Sequence, residues 1–289
     1  MSAVLVVGAT GLLGGATARL LHAAGDEVRG LVRSDAAAER LPPGVTAAWG
    51  DLELPESLPA CVEGASVVVS TASAFPVDPR PDAIERVDRN GQLALIDAAV
   101  AAGVRRFVYV SFPPSRPDFP FQRAKRVVEA RLAGSEMESV VLQPGKFMDV
   151  WFSPPLGLDL AARSARLYGG GVTPQSWVAV EDVAAVAAHA AGDRDYAGRT
   201  VVFGGPAPRT QSEVVDLLEG LVGAPFARVV VPAETLEGMR ASPEPTMESL
   251  GAILLQATVP DVLPSVTALP GVAAPGITVQ RFLGGLVGA

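Results

Sequence analysis

Cysteine is almost missing from this chain of 289 residues: Cys61 stands alone, and no internal disulfide can form. The two histidines, His22 and His189, lie far from each other and from Cys61, so no metal site is expected. Ordinary packed or surface histidines account for both. Positive charge is also short. Lys and Arg number 23 against 31 Asp and Glu, a formal charge of −8, and no basic cluster relieves it. Nucleic acid and anionic membrane surfaces are therefore not expected partners, because binding phosphate needs clustered cations. Long apolar runs are absent as well. The alanine-rich stretch Val183 to Ala191 is too short to span a bilayer and follows Glu181 and Asp182. The first residues enter a strand directly, without a basic segment and apolar region, and a cytoplasmic location is the expectation.

What the chain does have is apolar content, 49%, interrupted by 30 glycines and 25 prolines scattered as many short loops. Valine-rich runs recur at Val4 to Val7, Val28 to Val32, Val45 to Trp49, Val67 to Ser70, Phe107 to Val110, Val140 to Leu142 and Val201 to Phe203. Apolarity on both faces suits strands buried in a parallel sheet. Helical spacing fills the gaps: Leu13, Thr17, Leu20, Leu21, Ala24; then Ile84, Val87, Gly91, Leu95, Ala98; then Phe121, Ala124, Lys125, Val128, Leu132. Gly25, Gly103 and Gly134 stop these helices. Strand alternating with helix predicts an α/β doubly wound, Rossmann-type sheet. The alternation loosens after about residue 150. Residues 1–150 are read as the nucleotide-binding domain, with about 178–205 returning to it, and 151–177 with 206–289 as a smaller α/β substrate domain. Thr210 and Glu213 read as a capping box for a helix ending at Gly220. Beyond Met239 the periodicity is weak.

The glycines Gly8, Gly11 and Gly14 stand between the first strand and an amphipathic helix. A dinucleotide pyrophosphate needs main-chain N–H groups at a helix N-terminus with no Cβ in the way, and this turn offers both. Simple tight turning is the competing reading. Arg33 lies 19 residues after Gly14 at the end of the second strand, close to the roughly 20 expected of the residue that reads the adenosine ribose. An arginine there suits a 2′-phosphate, hence NADPH. Asp35 follows in the loop, and a solvated surface role for Arg33 is the alternative.

With these residues in view the chain resembles the NmrA-like branch of the atypical short-chain dehydrogenase/reductase superfamily over nearly its whole length. The resemblance rests on Val6-Val7-Gly8-Ala9-Thr10-Gly11-Leu12-Leu13-Gly14, Val28 to Arg33, Gly50-Asp51-Leu52 and Ala98 to Ser111. Lys125 with Glu129, Pro144 to Met148 and Val180 to Ala184 extend it. It implies a cofactor, NADPH or NADP, lying across the strand ends. Gly8, Thr10, Gly11, Leu12, Leu13 and Gly14 would hold it, with Arg33 at the 2′-phosphate, Asp51 and Leu52 at the adenine, and Thr71 and Ala72 after the fourth strand. Ser111 and Phe112 would flank the nicotinamide, Lys125 its ribose, and Pro144 and Phe147 would complete the set. Asn90 would be the supporting polar residue of the helix before, although a surface role fits it equally. Lys125 and Ser111 are the implied catalytic pair. One departure matters: where related enzymes carry Tyr-x-x-x-Lys, this chain reads Phe121-Gln122-Arg123-Ala124-Lys125, without the phenolic proton donor.

Phe112, Phe121, Phe147, Met148 and Trp151, with Phe119 and Phe152 nearby, would line a cleft for a small apolar or aromatic substrate. Core packing is the alternative for each. The leading expectation is NADPH-dependent hydride transfer to a conjugated carbonyl, a quinone, enone or polyketide-like compound. Its rivals are a non-catalytic NADP(H) sensor and a cofactor-retaining isomerase or epimerase.

Overall fold

The computed structural model describes residues 2–288. The first half alternates without a break: β1 (Ala3–Val7), α1 (Leu12–Ala23), β2 (Glu27–Val32), α2 (Asp35–Ala38), β3 (Thr46–Trp49), α3 (Leu58–Val62) and β4 (Val67–Ser70). A π-helical stretch, Ile84–Gly91, then runs into α4 (Gln92–Ala101), followed by β5 (Arg106–Val110), α5 (Pro120–Ala133) and β6 (Glu138–Pro144). Beyond it come β7 (Lys146–Phe147), α6 (Met148–Trp151), β8 (Leu158–Asp159), β9 (Ser164–Tyr168), β10 (Trp177–Val178), α7 (Val180–Gly192) and β11 (Thr200–Phe203). The chain ends with α8 (Gln211–Val222), β12 (Ala227–Val231), α9 (Ala233–Arg240), α10 (Pro245–Leu255) and α11 (Val279–Gly288).

Seven strands form one parallel sheet in the order β3-β2-β1-β4-β5-β6-β11. The doubly wound fold expected of the valine runs is what forms. β1 is apolar at every position because both faces are covered. Val4 and Val6 join Leu21, Val183 and Val186 on one side, and Leu5 and Val7 join Leu58, Leu95 and Phe107 on the other. Strand order reverses at β1, with β2 on one side and β4 on the other, so the connections after β1 and β4 diverge and leave a crevice at their C-terminal ends. Small residues at the start of α1 let it lie against α7, with Ala16 packed on Val180 and Ala184.

A second sheet, β12-β9-β8, covers a separate core that includes Trp151, Trp177, Leu218, Leu236 and Leu283. Thr210 and Glu213 make the reciprocal cap anticipated for α8. That helix passes Gly220 and stops at Gly223, whose φ of 72° only glycine adopts without strain. The helices α10 and α11 lie where periodicity was weak. α10 packs against both α9 and α5, so no single apolar stripe marks it, and the Glu244 carboxylate caps it by accepting from the N–H groups of Thr246 and Met247. Among the described residues, no helix is long and apolar enough to cross a membrane, and no His, Cys, Asp and Glu side chains gather in threes as a metal ion requires.

Candidate active site

The crevice is a cleft of about 620 Å³, and the glycine turn forms its floor. Gly8 has φ 92°, and a Cβ there would meet Thr71 Oγ1 at 2.7 Å and Ala72 N at 2.9 Å. At Gly14 a Cβ would stand 2.2 Å from Gly8 O, so this glycine lets the helix sit on the turn. Gly11 differs: a Cβ there meets only Gly8 O, at 3.3 Å, and the side toward the crevice is open. No side chain caps α1. The N–H groups of its first turn have no carbonyl within the helix, and Leu12, Leu13 and Gly14 line the cleft. A dianionic pyrophosphate fits this cradle, where free N–H groups, the helix dipole and open space coincide.

Arg33 lines the far end with Arg40, which was not anticipated and which donates from Nη2 to Thr10 O at 3.3 Å. Ser34 Oγ accepts from Ala37 N and starts α2, the short helix that brings Arg40 back beside Arg33. Asp35 occupies the first turn of α2 and does not line the cleft. Asp51 and Leu52 form the adjoining wall, and Thr71 and Ala72 the wall across from it. Ser70 Oγ donates to Gln92 Oε1 at 2.8 Å, and Gln92 Nε2 donates to Ala72 O at 3.3 Å, which ties the end of β4 to the helix behind it. Asp78 and Pro79 complete the rim. Arg80 pairs with both Asp78 and Glu53, and holds the Asp78 carboxyl down at about 2.

Beyond this cleft lies a buried polar cluster under aromatic rings. Lys125 is buried on α5; its Nζ donates to Val110 O at 3.3 Å and sits 4.8 Å from the Tyr109 ring centroid. Burial pushes the ammonium below the ordinary lysine range, and the charges of Asp88 and Glu129 partly restore it. Asp88, wholly buried, accepts from Ala74 N at 3.2 Å through Oδ2. Its Oδ1 has no hydrogen-bond partner among the described residues, nor has Tyr109 Oη. Burial raises the Asp88 carboxyl, opposed by Lys125. Ser111 Oγ accepts from Arg126 Nη2 at 3.1 Å, and the same nitrogen donates to Phe112 O. Glu129 accepts from Arg126 at 2.9 Å and from Gln143 at 3.1 Å, holding the guanidinium under the Ser111 turn.

Gly8, Thr10, Gly11, Leu12, Leu13, Gly14, Arg33, Asp51, Leu52, Thr71 and Ala72 thus face one cleft. Ser111, Phe112 and Lys125 gather at the end of β5 and do not line it. Pro144 is buried beside Phe203 at the end of β6. Phe147 is half-buried against Leu13, Ala16, Val180 and Ala184. The aromatic residues divide. Phe112 and Phe121 stack at 5.4 Å in a cluster with Phe75 and Phe119, whereas Met148, Trp151 and Phe152 are buried in the core of the smaller sheet. Asn90 is exposed, and the polar residue that the helix turns inward is Asp88. Asn90 comes from the resemblance alone; Asp88 stands four residues after Ile84 and three before Gly91, on the face that the apolar stripe already turns inward.

The NmrA-like family model matches residues 1–257. The NAD(P)H azoreductase of Xenophilus azovorans is 32% identical over 285 residues, 92% of this chain and 93% of that protein. Photosystem II assembly factor Ycf39 of Synechocystis sp. is 30% identical over 241 residues, 82% of this chain and 73% of that one. Among solved structures, Escherichia coli quinone oxidoreductase QOR2 complexed with NADPH superposes with a TM-score of 0.79 at 19% identity, covering 98% of this chain and 99% of its own. The match in fold runs from end to end, and the chain belongs to the NmrA-like family.

Proposed function

We propose that the chain is an NADPH-dependent reductase of planar conjugated acceptors such as quinones. The observation that carries this reading is the placement of Lys125, a buried ammonium under aromatic rings at the end of β5, next to a cleft whose glycine cradle and two arginines fit a phosphorylated dinucleotide. Gly8, Gly11, Gly14 and the first N–H groups of α1 would hold the pyrophosphate, and Arg33 with Arg40 the 2′-phosphate. The bound nicotinamide supplies a hydride. Lys125 supplies what the missing phenol at Phe121 cannot: a proton at Nζ for the developing acceptor oxyanion, and a positive charge in a dry site where it acts strongly. The charges of Asp88 and Glu129 partly offset the effect of burial on that ammonium. A conjugated acceptor spreads its negative charge, so it demands less of the donor than an isolated ketone does. The azoreductase relative, which by its name uses NAD(P)H, supports the reading.

Ycf39 relatives and Phe121 favour a second reading, a cofactor-binding protein without turnover. One experiment separates the two: NADPH oxidation by quinones, enones and azo compounds, followed at 340 nm, with Lys125→Met as control. The reductase reading expects turnover that falls about 100-fold in the variant, with NADP affinity changed less than about threefold. Cofactor binding without oxidation of any acceptor establishes the second reading instead.

A further inference from the structure

The loop of residues 71–83 serves two places at once. Ser73, Ala74, Val77, Asp78 and Pro79 line the cofactor cleft, while Phe75 lies on Phe121 with centroids 4.6 Å apart and rings 24° from parallel. Phe121 in turn stacks with Phe112, and its ring is 5.3 Å from Lys125 Nζ. The group that is to receive a proton from Lys125 must therefore come against this stack.

The three rings are not equally held. Phe121 is buried on α5, and its N–H donates to Ser249 Oγ of α10 at 3.1 Å. Phe112 is fixed through its carbonyl and through the Arg126 guanidinium, 5.3 Å from its ring. Phe75 is half-buried on a loop. Its carbonyl accepts from Ser73 Oγ, within the same loop, and its N–H faces the Asp88 carboxylate, so the main chain is tethered while no polar contact holds the ring. The loop is pinned on either side of Phe75, by Ala74 N on Asp88 and by Arg80 on Glu53. Stacking is what keeps the Phe75 ring in place, and a planar ring offers Phe121 the same face-to-face contact.

We propose that Phe75 holds the place on Phe121 where a planar acceptor ring stacks, and that it is the residue selecting acceptors by size. The inference rests on the reductase reading for the identity of the ligand as an acceptor, but the stacking place itself is a matter of binding. Exchange of one aromatic face for another leaves Phe121 and Lys125 covered, so a flat ligand of two or three fused rings enters without wetting the ammonium. Ligands that lack a flat face gain nothing from the exchange.

The test uses the full chain saturated with NADP⁺ and two redox-inert probes, benzenesulfonate and anthracene-2-sulfonate, titrated by calorimetry. Phe75→Ala should bind the three-ring probe about tenfold tighter and the one-ring probe within about twofold of the parent, with NADP⁺ affinity unchanged. Phe75→Leu, which keeps most of the volume, should show the same direction if the alanine variant does not fold. A three-ring affinity that is unchanged or weaker in the folded variants overturns the proposal, as does failure of both probes to bind any form. Turnover separates this from the reading beneath it. Quinone reduction with the same size preference in parent and Phe75→Ala sinks the subsite and leaves the reductase standing; tighter three-ring binding with no reduction of any acceptor does the reverse.

Discussion

Two arginines, Arg33 and Arg40, line the cleft, and their bonding differs. Arg33 is exposed and makes no hydrogen bond among the described residues, so its donors are free for a 2′-phosphate; Arg40 already gives one donor to Thr10 O. A charge-assisted bond to phosphate contributes about 1.5–3 kcal/mol, and solvent around Arg33 moves the value to the lower end. Arg33→Ala should therefore weaken NADPH about tenfold and leave NADH within about twofold, read by titration of both cofactors. Equal losses for the two would remove Arg33 from the 2′-phosphate. The position of Arg33 was legible from its distance to the glycine turn. Arg40 was not, because only the fold of α2 returns it to the cleft. Asp88 stands on the inward stripe with Ile84 and Gly91, but its nearness to Lys125 on another helix comes only from the fold.

At the scale of elements, the ends of helices are where side chains decide the arrangement. Arg106 opens β5 and is wholly buried, yet its Nη1 donates to the carbonyls of Ala190, Ala191 and Asp193 at the C-terminus of α7, and Glu138 on β6 accepts its remaining donors. One guanidinium thus caps a helix with the charge its dipole favours and links it to two strands. Arg106→Met should lower unfolding stability by about 3 kcal/mol, the low end for breaking a buried pair, because the Glu138 left behind is one-third exposed and stays hydrated. Denaturant titration measures this, and a change below about 0.5 kcal/mol would mean that water caps α7 as well as the arginine does. At the other end of the same helix Asp182, in the Val180 to Ala184 motif, accepts from the N–H groups of Gly276 and Ile277 at 2.7 and 2.9 Å and fastens the C-terminal segment to α7. That motif therefore has a tertiary role that its sequence does not announce.

For the whole molecule, the perturbed carboxylates fall into two groups that respond oppositely to acid. Arg80 lowers Glu53 and Asp78, Arg106 lowers Glu138, and the Thr210 N–H lowers Glu213. Their stabilisation is complete above the unfolded values near 4 and is lost as pH falls through the lowered folded values, about 2 for Asp78. Burial raises Asp88, Asp149 and Asp182. For these the folded state takes up protons first, so lowering the pH from 7 toward their raised values adds stability. The formal charge of −8 also shrinks over the same interval, which reduces self-repulsion. Thermal midpoints should accordingly peak at about pH 5 and fall steeply below about pH 4. A midpoint that falls steadily from pH 7 downward would show that the buried aspartates do not govern the profile.

The sequence alone determined the parallel sheet and its glycine turn, because both rest on local necessities. A strand covered on two faces must be apolar throughout, and a turn that approaches its neighbours as closely as Gly8 and Gly14 do tolerates no Cβ. Arg33 belongs with these, being set by chain length from the turn. Tertiary structure decided the rest. It sent Trp151 and Met148 into the core of the smaller sheet and brought Phe75 from a loop onto Phe121. It placed Asp88 beside Lys125, although 37 residues separate the two, whereas Glu129 stands one turn along the same helix. An aromatic residue has the same composition whether it packs a core or waits in a cleft, and a buried lysine keeps its charge only through partners that the fold delivers.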